Sequence, residues 1–185
     1  MDTLELLAHP VRLRIVQAMA GGRVRTTAQL AGHIPDVHKA TVYRHVGLLA
    51  DGGVLEVVGE QRVRGAVERR YRLCRERAVI SADTIESMSP ADHRRAFTAA
   101  VAALLAEFTA YLDRDDADPI ADLVGYRQHV LWLSPDERAE MIDKMRDAIT
   151  PQLTNPPAPH RTPHLLSPIL FPVAEPPQGT SEDCR

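Results

Sequence analysis

Lys39, Thr41, Tyr43 and Arg44 place two cations, a hydroxyl and a phenol on the first turns of one helical segment. Such groups donate hydrogen bonds and neutralise anions, and no general base is spaced to turn one of them into a nucleophile. Their chemistry is recognition of acceptor-rich surfaces. A helix entering a major groove touches bases mainly with its N-terminal residues, the end where these donors sit. Ala40 and Gly47 share that face, and their small size lets the backbone approach a groove floor closely. Arg62 and Arg64, followed by Arg69, Arg70 and Arg72, have the chemistry of phosphate contacts, which set register and supply salt-dependent affinity. Tyr43 and Arg44 are better placed to read base edges, with Arg44 to guanine the first expectation. Taken singly, such a helix is a solvated amphipathic surface helix, and such a hairpin a solvated edge guarded by its charges.

The flanking elements change that balance. Pro35 and Asp36 close the preceding segment, and a helix starting near His38 sets Val42, Val46 and Leu49 on one stripe before Gly52-Gly53 ends it. Upstream, Thr26 to Gly32 reads as a short helix capped by threonine, which adds Thr27 to the candidate DNA contacts. Two short helices joined by a tight turn make a helix-turn-helix. Downstream, Val54 to Val58 is β-branched, Glu60 to Gly65 is polar, and Val67 to Leu73 alternates, as a β-hairpin wing requires. Before all of these, Met1 to Gly22 reads as two helices broken at His9-Pro10, with Leu13, Ile15, Val16 and Met19 facing inward. Arg12 and Arg14 fit a structural or dimer-proximal role better than base reading.

These motifs together, Leu6 to Val16, Ala40 to Val46 and Gly52 to Leu55, resemble the ArsR-type winged-helix transcriptional regulators. The resemblance covers roughly residues 3 to 75. The return strand Arg64 to Leu73 is similar to a non-metal branch in which a separate C-terminal region follows the wing. What this implies is a dimeric DNA-binding regulator. Metal-sensing members use cysteine pairs in the first helix of the motif, or Asp, His and Glu sets in a terminal dimer helix. Thr26 to His33 holds no cysteine, Asp92-His93 lacks a spaced second set, and Cys74 and Cys184 are isolated. His160 and His164 have helical ligand spacing, but Pro159 and Pro163 break that helix. No metal and no cofactor is expected.

Composition bounds the classes further. An apolar content of 44% with only 4% aromatics describes a core of Ala, Leu, Val and Ile in one or two small domains. The basic and apolar run of a secretory leader is absent, no stretch is expected to span a membrane, and two cysteines make no disulfide framework, so the expected compartment is the cytoplasm. Net charge of −3 conceals an asymmetry. Residues 1–80 hold 13 Lys and Arg against 8 Asp and Glu, and residues 81–185 hold 9 against 17. A basic half joined to an acidic half suits a DNA reader attached to a region that stays off the duplex.

In the acidic half, Ser89-Pro90-Ala91-Asp92 starts a long helix running to about Asp113. Phe97, Val101, Leu104 and Phe108 recur along it as a seam for another helix, assigned to a homodimer contact, with packing inside the same subunit as the alternative. Val124 to Leu133 partly alternates, Ser134 and Glu137 form a capping box, and Leu165 to Val173 could be an edge strand beside Tyr126 to Leu133. Trp132, Tyr126 and Tyr111 are candidate walls of a small-molecule effector pocket, or ordinary core.

The expected fold is therefore mainly α (α+β): a winged helix-turn-helix with a β-hairpin wing over residues 1–78, a helical dimerisation and effector region with a small two-stranded element over 79–174, and a disordered tail over 175–185. The expected function is a homodimeric, sequence-specific transcriptional regulator, a repressor, binding operator DNA and a small-molecule effector. A winged-helix module for protein contacts is the alternative, though it has no need of arginines at a wing tip. Without a glycine-rich phosphate loop, a nucleophile elbow or His-Glu-x-x-His, an enzyme finds least support.

Overall fold

The computed structural model describes residues 3–63 and 66–174. Among them the chain divides into two compact units, Met1–Asp118 with Thr154–Pro156, and Pro119–Leu153 with Pro157–Arg185. The division falls after Asp118, where the composition had suggested residue 78. The expected tail, residues 175–185, and Arg64 lie outside the described residues.

The first unit is an α+β winged helix-turn-helix. Its helices are α1 (Thr3–Leu7), α2 (Pro10–Ala18), α3 (Thr27–His33), α4 (Lys39–Asp51), α5 (Ala82–Ser87) and α6 (Pro90–Leu112), with strands β1 (Val24–Thr26), β2 (Leu55–Val63) and β3 (Ala66–Leu73). Local chemistry fixes each boundary. His9 caps α2 by accepting from the Val11 amide, and Pro10 occupies the position whose amide has no helical partner. Thr26 and Gln29 satisfy each other's backbone amides in a capping box at the start of α3, and Ser89 and Asp92 do the same for α6. Gly53, at φ +73°, turns the chain out of α4 in the left-handed region open to glycine.

The sheet runs β1-β3-β2, all antiparallel. Arg25 stands opposite Tyr71 on one side of β3, and Val57 stands opposite the same Tyr71 on the other. A register shift between Val57 and Gly59 bulges β2 and twists the hairpin away from a flat edge. The core beneath is aliphatic: Leu6, Ile15, Met19, Leu30, Ile34 and Leu55 meet the inner stripe of α4, Val42, Val46 and Leu49.

α6 packs along α2, burying Ala99 and Ala103 on the same face as Glu107. One expectation needs correction here: α6 is long and apolar enough, by length and composition, to cross a membrane. One of its faces packs on α2, and its first two turns carry Asp92, His93, Arg94 and Arg95.

In the second unit, α7 (Pro135–Leu153) is capped reciprocally by Ser134 and Glu137. The two-stranded element expected on either side of it is not formed: 124–134 and 162–174 run as chain without a β-ladder among the described residues. Pro163, Pro168 and Pro172 remove three of the donors that a ladder through the second segment would need.

Candidate nucleic-acid interface

α4 presents one face to the core and the opposite face to solvent. Lys39, Ala40, Tyr43 and Arg44 are exposed and Thr41 is half-buried, so the donors expected of the recognition helix share its first two turns. The Lys39 Nζ stands 5.6 Å from the Tyr43 ring centroid, a cation–π contact that orders both long side chains before any ligand arrives. A Cβ at Gly47 would meet nothing within 4 Å, so this part of the helix surface is open to close approach. His38, not anticipated as a functional residue, caps the helix: its Nδ1 accepts from the Ala40 amide at 3.3 Å. Thr27 is half-buried at the start of α3, while Thr26 beside it is committed to the capping box.

The wing is less basic in effect than in composition. Arg69 donates to Glu60 at 2.9 Å and Arg72 to Glu56 at 2.7 Å, so two of the expected phosphate contacts are engaged across the hairpin. Arg62 and Arg70 have no carboxylate partner among the described residues, and the Arg70 guanidinium lies over Gly59, where a side chain would obstruct it. Arg62 and Arg70 are thus the wing cations available for phosphate.

Beneath α4 two features place it. Arg14 is only 3% exposed, and its guanidinium donates to both Asp36 carboxylate oxygens, at 2.6 and 2.8 Å, and to Glu107 at 2.7 Å. Burial opposes its charge, but the bonds to Asp36 and Glu107 outweigh this and raise its pKa, while Arg14 holds the Asp36 carboxyl below its usual range. His45, on the inner face of α4, packs against the His9 ring at a centroid distance of 4.4 Å, and neither of its ring nitrogens has a hydrogen-bond partner. Burial, then the nearby His9, Arg12 and Arg44, lowers its pKa to about 4. Arg12 bonds the Leu6 and Glu5 carbonyls at the end of α1, which fixes it as a structural side chain.

The candidate dimer and effector residues are distributed differently. Val101 faces solvent, as does Leu105 one turn on, while Leu104 and Phe108 are half-buried; Phe97 is on the exposed side. Tyr111 belongs to the first unit, stacked on Phe108 at 5.9 Å, whereas Tyr126 and Trp132 belong to the second, where Trp132 is 78% exposed. A cleft of about 400 Å³ in the first unit lies elsewhere, between Leu4, Glu5, Thr84, Met88, Asp92 and Arg95. No group of three or more metal-ligating side chains occurs among the described residues.

Residues 7–58 match the family model of a helix-turn-helix domain, a family that includes ArsR-type regulators. The match spans α2 to the first half of β2, and so contains both helices of the motif. No curated protein matches the chain. Fold and match agree on a helix-turn-helix domain over this part of the chain, which suggests a DNA-binding regulator.

Proposed function

We propose that the protein is a sequence-specific transcriptional regulator of ArsR-like, non-metal type, acting as a homodimeric repressor in the cytoplasm. The observation that carries this reading is the donor face of α4: Lys39, Tyr43 and Arg44 project from its first turns beside an unobstructed Gly47. Arg44 reads a base edge, Lys39, Thr41, Thr27 and Arg62 hold phosphates, and Tyr43 packs against the groove wall. Arg64, outside the described residues, is assigned the same phosphate role by its chemistry alone. One winged helix reads one half-site, so a second copy joined through Phe97, Val101, Leu104 and Phe108 of α6 completes a pseudo-palindromic operator. A small-molecule effector would bind the two spacings of the dimer unequally.

Fluorescence anisotropy on the protein's own promoter fragment and on scrambled DNA tests the reading. Promoter binding should be tighter by about a thousandfold, and Arg44→Ala should weaken it by about 1 to 3 kcal/mol. Equal affinity for both DNAs, unaffected by Arg44→Ala, would favour the use of this domain for protein contacts.

A further inference from the structure

We infer that Arg14 and Glu107 are positioning residues for the recognition helix, forming a joint through which α6 sets the start of α4. The inference deepens the regulator reading and, for its DNA arm, rests on it. Arg14 sits on α2 with its planar end buried between two elements far apart in sequence. Its two terminal nitrogens grip both oxygens of Asp36, which stands in the turn two residues before the His38 cap of α4. Its Nε grips Glu107, which continues the Ala99 and Ala103 face by which α6 packs on α2.

A pair joining α2 to α6 for stability alone would need one carboxylate. Here the bidentate, more directional end of the guanidinium is spent on the turn that launches the reading helix. Losing either carboxylate would leave a neutral pair but strand N–H donors of the buried guanidinium, so the hydrogen bonds tie both carboxylates to one side chain. α6 carries Val101 and Leu105 on the face opposite Ala99 and Ala103. A force applied to that outer face therefore reaches Asp36 through one side chain. The charged groups around the joint are Asp36, Glu107, and His33, Arg23 and Arg25.

Glu107 is partly exposed, so its substitution tests the joint without emptying the core. Amide hydrogen exchange on the full chain, with DNA absent, should show residues 37–42 exchanging about tenfold faster in Glu107→Ala, with β2 and β3 unchanged and Glu107→Gln intermediate. Promoter affinity, measured where circular dichroism shows the variant fully folded, should fall about tenfold, with scrambled-DNA affinity within about twofold. Unchanged exchange at 37–42 in Glu107→Ala would overturn the joint. Wild-type protein with no promoter preference would sink the regulator reading instead, and the exchange result would still decide the joint.

Discussion

His45 makes the stability of the winged helix depend on mildly acidic pH. The ring is 2% exposed, both nitrogens lack partners, and His9, Arg12 and Arg44 are close enough to oppose a proton. Its pKa falls from an ordinary 6.5 to about 4, so between those values the unfolded chain binds a proton that the folded chain does not. Stability is therefore complete above pH 6.5, declines as pH falls, and stops declining below pH 4 where both states are charged. At 1.36 kcal/mol per unit the loss is about 2 kcal/mol by pH 5 and approaches about 3 kcal/mol by pH 4. His9 and His33, lowered first by burial, act in the same direction, whereas Asp36, held below the usual carboxylate range, contributes at lower pH. Urea unfolding followed by circular dichroism at pH 7, 6 and 5 isolates the His45 share when wild type is compared with His45→Phe. The variant keeps a flat ring against His9 and removes the two unsatisfied nitrogens. It should lose about 2 kcal/mol less than wild type between pH 7 and pH 5. Parallel stability curves for the two proteins would refute the assignment of a neutral, desolvated imidazole.

Two further tests address DNA and assembly. Arg62→Ala should reduce the slope of log affinity against log salt by about 1 per chain, while Arg72→Ala, whose guanidinium already serves Glu56, should leave the slope nearly unchanged; titrations at several salt concentrations read both. Val101→Glu with Leu105→Glu should convert a dimer to a monomer in sedimentation velocity and weaken promoter binding, and a dimer that persists would remove α6 as the seam.

What was legible in the sequence follows from how local each signal is. α4 could be read because Val42, Val46 and Leu49 repeat at helical spacing and its ends are marked by residues within a turn of them. The capping box at Ser134 and the helix caps at Thr26 and Ser89 lie within three residues and could be read, while the return bonds of Gln29 and Asp92 that complete the other two boxes were not anticipated. β1 escaped because three residues, Val24 to Thr26, carry no period; their strand identity comes from β3, more than forty positions on. Arg14 could be read as structural or dimer-proximal, but its partners could not, since they stand 22 and 93 positions away and meet only when α6 folds back on α2. The glutamate partners of the wing arginines were hidden for a related reason. Which of them faces a glutamate depends on cross-strand register, and the bulge between Val57 and Gly59 resets that register. In the second unit alternation suggested strands at 124–133 and 165–173, but alternation marks a face and not a pairing partner, and the prolines of the later segment oppose a ladder.

The ion pairs of the wing bear on what the proposed dimer would add. Non-specific affinity for a duplex rises with the number of phosphates neutralised, and Arg69 and Arg72 each arrive with a glutamate attached. Exposed pairs of this kind are weak and can open, but a phosphate must then compete with a tethered carboxylate for the same guanidinium. That leaves Lys39, Arg44, Arg62 and Arg70 as the described cations on α4 and the wing without such a competitor. With Arg44 at a base edge, about three phosphate contacts give a salt slope near −3, whereas the two copies of the proposed dimer give about −5, at the low end of proteins making 6 to 10 phosphate contacts. The acidic half adds repulsion wherever it nears the duplex, which further penalises placements that do not put both reading helices in register. Discounted arginines on the wing thus weaken binding to DNA in general more than binding to a matched operator. In the proposed dimer the base contacts assigned to Arg44, doubled by symmetry, would then carry a larger share of the affinity.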